Sequence, residues 1–168
     1  MSWRIAAVPL DDLRARALRR ELDADLGARY DGFHGEEPDE RRRARARALA
    51  LHPDEVVATL IALVPEAGAG DGAEVAAGHV ILRRLGTEHE IKRLIVGAGF
   101  RGRGIARALV TGACDLARAD GAARVILQTG LQQPESIALY ASMGFTRIPV
   151  YEPYAETMPR SICFAYVF

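Results

Sequence analysis

The sequence predicts one mixed α/β domain over residues 1–168, and three observations predict it. Apolar residues make up 49% and charged residues 26% of the 168, a globular rather than fibrous or disordered composition. Apolar runs of strand length alternate with stretches of helical periodicity from one end to the other. A Gly-rich turn at 97–104 joins a strand to a helix, and a further strand follows that helix. Such a strand–helix–strand unit sets its two strands parallel through a right-handed crossover.

The elements follow in order. Trp3 to Val8 alternates weakly and forms a strand that Pro9 ends. Leu10, Leu13, Ala17, Leu18, Leu22 and Leu26 recur at helical spacing, Asp11 and Asp12 lie where the helix dipole favours anions, and Gly27 is the expected stop. Tyr30 to Glu40 is a polar loop, and Glu40 to Leu51, rich in Arg and Ala, is a solvated second helix. Its Arg41–Arg47 run is an exposed basic face. Val56–Val64 is a continuous apolar strand, Pro65–Gly72 a hairpin loop, and Val75–Leu82 and Glu88–Val96 the next two strands. The third helix carries a stripe of Ile105, Leu109, Ala113 and Leu116 and closes at Gly121. Arg124–Gln128 is a short strand. Pro134 opens a helix to Met143 that Gly144 stops, and Phe145–Ile148 and Ile162–Phe168 are the last strands.

Composition excludes several functions. Lys+Arg and Asp+Glu both total 22, so the basic excess of a general nucleic-acid binder is missing. No apolar run approaches the ~18 residues of a membrane span, and the first ten residues lack a signal-peptide layout. Cys114 and Cys163 make neither a disulfide framework nor a metal-ligand pattern. The expected compartment is the cytoplasm, with no membrane and no metal.

The turn at 97–104 carries the functional signal. A helix N-terminus leaves amides unpaired and adds partial positive charge, and glycines let backbone approach an anion closely. A Walker P-loop fails, because no Lys-Ser/Thr pair opens the helix. Gly97, Gly99 and Gly102 spell a dinucleotide fingerprint, but no acid ends the next strand, where Gln128-Thr129-Gly130 stands. Arg101-Gly102-Arg103-Gly104-Ile105-Ala106 resembles the R/Q-x-x-G-x-G/A pyrophosphate loop of the GNAT superfamily of acetyl-CoA-dependent N-acetyltransferases. Upstream, Glu90 to Val96 looks like that family's fourth strand. Downstream, Gln133-Pro134-Glu135-Ser136-Ile137-Ala138-Leu139-Tyr140 and Gly144-Phe145 are similar to its N-x-x-A-x-x-L-Y-x-x-x-G-F segment, with Gln133 where asparagine is usual.

The resemblance implies a GNAT fold: a central mixed, mostly antiparallel sheet of six to seven strands, about four flanking helices, and splayed parallel strands 4 and 5. It implies that amides of Arg101, Gly102, Arg103, Gly104, Ile105 and Ala106 cradle the pyrophosphate of acetyl-CoA, the co-substrate. Leu94, Ile95 and Val96 would pair with the pantetheine arm as a strand would, and Gln133 would add a polar contact. An amide near Leu94 would stabilise the developing oxyanion. Tyr140 is the implied general acid for the departing thiolate, and Glu90 the candidate base. Strand alternation sets Glu90 and Leu94 on one face, roughly 13 Å apart at ~3.3 Å per residue, so a bridging water is needed. His79 and His89 are weaker alternatives on the proton path. Loops 30–37 and 151–156 would wall the acceptor, with Tyr30, Phe33 and Tyr154 the aromatic contacts for a cationic amine.

The function so implied is direct acetyl transfer to a primary amine, more a small molecule than a protein, without an acyl-enzyme. A homodimer fits the family. A CoA-binding module without turnover stays open, as does a nucleotide-cofactor oxidoreductase through the 97–102 glycines.

Overall fold

The computed structural model describes residues 3–33, 35, 37–66, 68 and 72–168. The chain runs β1 (Arg4–Val8), α1 (Leu13–Tyr30), α2 (Asp39–Leu49), β2 (Val56–Pro65), β3 (Glu74–Leu85), β4 (Glu88–Val96), α3 (Ile105–Ala119), β5 (Arg124–Thr129), α4 (Pro134–Ser142), β6 (Thr146–Ile148), α5 (Tyr154–Thr157) and β7 (Ile162–Val167). Single 3-10 turns stand at Pro53–Glu55 and Ala98–Phe100. Seven strands form one sheet in the order β1-β2-β3-β4-β5-β7-β6. Every neighbouring pair is antiparallel except β4 and β5, which run parallel. The mixed sheet therefore has the predicted class and strand count.

Apolar burial divides the helices between the two faces. One face packs Val80, Leu82, Ile91, Val125 and Leu127 against Ile105, Leu109, Val110 and Ala113 of α3, with Tyr140, Phe145 and Phe164 closing the cluster. The opposite face sets Ile61 and Leu63 against Ala15, and Ile95 against Leu18 and Leu22, all on α1. Helix α2 packs on α5.

Four details depart from the sequence reading. Asp12 caps α1 by accepting from the amides of Arg14 and Ala15, so the buried stripe is Ala15, Leu18 and Leu22, and Leu13 is 76% exposed. The helix also runs through Gly27 to Tyr30. In α3, Ala117 is buried where the stripe pointed to Leu116. A fifth helix, α5, forms at 154–157, where a loop was expected. The hairpin expected at 65–72 has residues 67 and 69–71 outside the described residues.

The parallel pair is short. It registers His89 with Val125, Glu90 with Ile126 and Ile91 with Leu127. From Lys92 onward β4 no longer pairs with β5. At the same point the β3–β4 ladder slips: His79 pairs Ile95 while Ile81 pairs Lys92, so Arg93 and Leu94 together face Val80. This is a β-bulge. Arg93 there has φ 58, the one positive φ among the described non-glycine residues. The bulge corrects the expectation that Glu90 and Leu94 share a face, because the extra residue shifts alternation by one. Glu90, Lys92 and Ile95 lie opposite Arg83, Ile81 and His79, and Leu94 packs with the α3 cluster.

Helix α3 lies close on β3 because Gly78 has no side chain. A Cβ there meets the Ile95 carbonyl oxygen and Leu109 Cδ1 at 3.0 Å and Ile105 Cγ2 at 3.1 Å. Gly78→Val is expected to destabilise the fold by roughly 2–3 kcal/mol through overpacking. Urea denaturation checks this, and an unchanged midpoint and slope would show that the helix yields freely.

Candidate active site

A groove of roughly 350 Å³ opens where β4 leaves β5. Leu94, Ile95 and Val96 form its floor, Arg101, Gly102, Gly104, Ile105 and Ala106 its Gly-rich end, and Gln133, Glu135, Ser136 and Leu139 a wall at α4. The turn works through its backbone. Gly102 and Gly104 adopt φ 74 and 79, a region closed to most side chains. A Cβ at either would meet no atom within 4 Å, so the turn faces open space. Gly104 caps α3 without any side-chain hydrogen bond, so the first-turn amides have no intrahelical acceptor and remain for an anion. Arg101 and Arg107 add positive charge to this end of the groove.

Of the coenzyme-contact residues named from sequence, only Arg103 lies off the groove lining. Its guanidinium donates to the Gly99 carbonyl at 2.9 Å and stacks over Phe100. Sequence reading missed the second wall, Leu22, Asp25, Leu26 and Arg29 of α1. The i, i+4 pair Leu22–Leu26 signalled an apolar stripe but not its partner.

Helix α1 reaches α4 through its last turn. Arg29 pairs with Asp25 at 3.0 Å and with Glu135, and donates to the Gln132 carbonyl at 3.1 Å. The Tyr30 hydroxyl accepts from the Gln133 side chain and the Gln132 amide, each at 3.4 Å. It lies so close over Gly130 that a Cβ there would overlap it. Docking against this bare backbone explains why the helix continues past Gly27. Tyr30 stacks edge-on with Phe33 at 5.4 Å, and Arg160 covers the Phe33 ring. These two rings border the α1–α4 clamp. His34 and Glu36 of the same expected acceptor loop lie outside the described residues.

Glu90 and Tyr140 lie off the groove lining. Glu90 has no exposed surface. Its Oε2 accepts from Arg83 Nε at 2.6 Å and its Oε1 from the Tyr151 hydroxyl at 2.7 Å. Arg83 also donates to Glu55 Oε2 at 3.0 Å, to the Ala50 carbonyl at 3.2 Å and to the Tyr154 hydroxyl at 3.2 Å. Tyr154 is fully buried on α5 and accepts a further bond from Lys92 Nζ at 2.6 Å. The turn of α5 folds this tyrosine onto the sheet, so it joins the polar cluster instead of the groove. Burial, and then the Glu90 charge, push the Tyr151 and Tyr154 phenols well above their ordinary range. Tyr140 packs its ring 5.5 Å from Phe145 and 6.1 Å from Phe164, and burial raises its phenol likewise. His89 bonds Asp120 at 2.7 Å, at the end of β4 away from the bulge.

The comparisons with known proteins agree with this geometry. The sequence model of the acetyltransferase (GNAT) family matches residues 16–145. The chain belongs to the GNAT family. A mycothiol acetyltransferase from Beutenbergia cavernae is 34% identical over 144 residues, covering 76% of this chain and 48% of that protein. An IAA acetyltransferase from Azospirillum brasilense is 36% identical over 83 residues, 49% of this chain and 54% of its own length. The chain thus spans about half the length of these curated relatives. Among solved structures, the PaiA N-acetyltransferase from Thermoplasma acidophilum in complex with coenzyme A superposes with a TM-score of 0.65 at 14% identity, covering 100% of both chains. That likeness shows the GNAT fold. No helix among the described residues is long and apolar enough to cross a membrane.

The buried cluster of this GNAT chain is pH-sensitive at Lys92. Burial lowers its pKa from 10.5 to about 8, Glu90 partly offsetting the effect and Arg83 and Arg93 adding to it. Below about pH 8 folded and unfolded chains both carry the proton, and the folded state bears the cost of a buried charge. Between about 8 and 10.5 the unfolded chain binds more protons, so stability rises with pH. Lys92→Met is expected to be more stable than the parent at pH 7, by up to roughly 3 kcal/mol. Urea melts should show the gap closing by pH 10.5; a constant gap would contradict the buried charge.

Proposed function

We propose that this GNAT protein transfers acetyl from acetyl-CoA to the primary amine of a small molecule in the cytosol, by direct attack. The observation that carries the reading is the open-faced turn of positive-φ glycines at the α3 N-terminus, placed at the end of a strand whose edge is free of β5. Amides from Arg101 to Ala106 hold the pyrophosphate, with Arg101 and Arg107 adding charge. The free edge of Leu94, Ile95 and Val96 pairs with the amide-bearing pantetheine arm as an added strand. An amide near Leu94 then faces the thioester oxygen, an interaction worth roughly 3–4 kcal/mol per donor as charge develops there.

The amine nitrogen attacks the thioester carbon, the new C–N bond forms, and the C–S bond breaks. Tyr140, next in sequence to the groove-lining Leu139, gives its proton to the departing thiolate; burial keeps the phenol protonated beforehand while making it a weaker acid than a free one. The amine proton passes to Glu90. Both Glu90 oxygens are engaged and the residue is buried, so the Tyr151 hydroxyl stands in the place of the bridging water. Neither cysteine suits an acyl-enzyme, since burial raises Cys114 to about 11 and raises Cys163 as well. Tyr30 and Phe33 are the aromatic contacts for a cationic acceptor, which would share the Phe33 ring with Arg160. The short connection between α1 and α2 favours a small acceptor over a protein.

Thiol release from acetyl-CoA across a panel of amines tests the assignment. Gly104→Glu sets a carboxylate at the pyrophosphate turn in a strained backbone and is expected to weaken acetyl-CoA binding on the order of a hundredfold. Undiminished binding would refute the site. Tyr140→Phe should lower kcat at least about a hundredfold while leaving acetyl-CoA affinity intact. Binding without turnover on any amine would leave a CoA-binding module in place of the enzyme.

A further inference from the structure

The bulge in β4 needs something to hold it. The left-handed region is unfavourable for an L-residue, which persists there where its surroundings over-determine it. Arg93 occupies that region, and three elements grip it. Its guanidinium pairs with Asp23 on α1 and donates to the Leu49 carbonyl at the end of α2 at 3.5 Å. Its own carbonyl lies 3.0 Å from His79 Nδ1 on β3.

His79 is fully buried, and its other nitrogen, Nε2, lies 3.2 Å from an Arg19 guanidinium nitrogen on α1. Arg19 is itself anchored by donating to the Leu10 carbonyl at 2.6 Å. A carbonyl accepts and a guanidinium donates, so only one form of the ring satisfies both partners: neutral, with the proton on Nδ1. A protonated ring would turn an N–H against Arg19 and set a charge beside Arg19 and Arg93. Burial first, and these two cations after it, push the His79 pKa down to about 4, although the Arg93 carbonyl favours the proton.

We propose that His79 is a positioning residue for the coenzyme: as the Nδ1–H tautomer it clamps the Arg93 carbonyl, fixes the bulge, and so aims the Leu94–Val96 edge at the pantetheine arm. The inference rests on the reading of the groove as an acetyl-CoA site. The clamp connects α1 to the bulge, and both line the groove, α1 through Leu22 and Leu26 and the strand through Leu94 and Ile95.

Two substitutions separate the contacts of the ring. His79→Asn sets a side-chain amide N–H near the position of Nδ1 and so keeps the bond to Arg93. His79→Gln sets a side-chain carbonyl near the position of Nε2; it keeps the bond to Arg19 and leaves the bulge carbonyl buried and unpaired. Calorimetric titration with acetyl-CoA is expected to show His79→Gln weakened about tenfold or more and His79→Asn within about twofold of the parent. Thermal midpoints of the two variants, measured without coenzyme, should be alike, which a purely structural role would not combine with a tenfold gap in affinity. Equal affinities for the two variants would overturn the proposal. If either variant fails to fold, imidazole 15N spectra of the parent decide: Nδ1–H at pH 7 supports the clamp, whereas Nε2–H or imidazolium overturns it. A parent that does not bind acetyl-CoA at all would remove the groove reading instead, with the tautomer still readable.

Discussion

The parting of β4 from β5 after Ile91 is the constraint on which the site depends. A parallel pair of strands normally continues until a turn ends it, and each further residue would satisfy backbone groups on both sides. Here three residues pair and the ladder stops. The β3–β4 ladder absorbs the change of direction with the bulge at Arg93. On the side released from β5, the edge of Leu94 to Val96 borders a groove, and there the Val96 carbonyl accepts from Arg101 Nε at 3.1 Å. Unpaired backbone buried away from water is costly, so this arrangement makes sense where a ligand or water supplies the missing partners. On the proposed function, an amide-bearing arm would do so along the strand and an anion at the turn that follows.

The other face of the same strand bears the consequences. Glu90 and Lys92 point away from α3, beneath α2 and α5, where ordinary sheet packing would call for apolar side chains. Instead Arg83, Glu55, Tyr151 and Tyr154 close around them in a connected set of hydrogen bonds. Buried charge is expensive, and a pair such as Arg83–Glu90 roughly breaks even against apolar residues of the same size while fixing geometry more narrowly. The cluster therefore adds little net stability. Its effect is to lock β3, β4 and the segment carrying α5 into one register, close to the point where β4 departs.

Much of this was legible in the residues. Seven strands, the four longer helices and the Gly-rich turn before α3 all follow from periodicity, punctuation and the Arg101–Ala106 motif, because each is local in sequence. What escaped was non-local. Alternation counted from Glu90 to Leu94 assumes an unbroken pleat, and no residue type announces a bulge at an arginine. Leu22, Leu26 and Arg29 became groove wall only because α1 crosses the mouth of the groove, and its extra turn exists because Tyr30 lies over a glycine a hundred residues away. Tyr154 read as a loop aromatic because α5 is four residues long and has no periodicity to detect. Glu90 was visible as an acid on the right strand; its ion pair required knowing that Arg83 stands across from it.

The two sides of the strand are built in different ways, and this bears on how such a protein can change. The groove side offers mainly backbone: positive-φ glycines, a strand edge released from β5 and a helix start. The opposite side is made of side chains: Glu90 and Lys92 with Arg83, Tyr151 and Tyr154 closed around them. Exchanging a tyrosine or an arginine there alters charge and shape without touching the bulge or the turn. On the proposed function, the coenzyme groove can thus persist while the other face of the strand varies. The coupling between the two runs through β4, so a change at Glu90 or Lys92 reaches the groove only if it also shifts the residues that hold Arg93 in place.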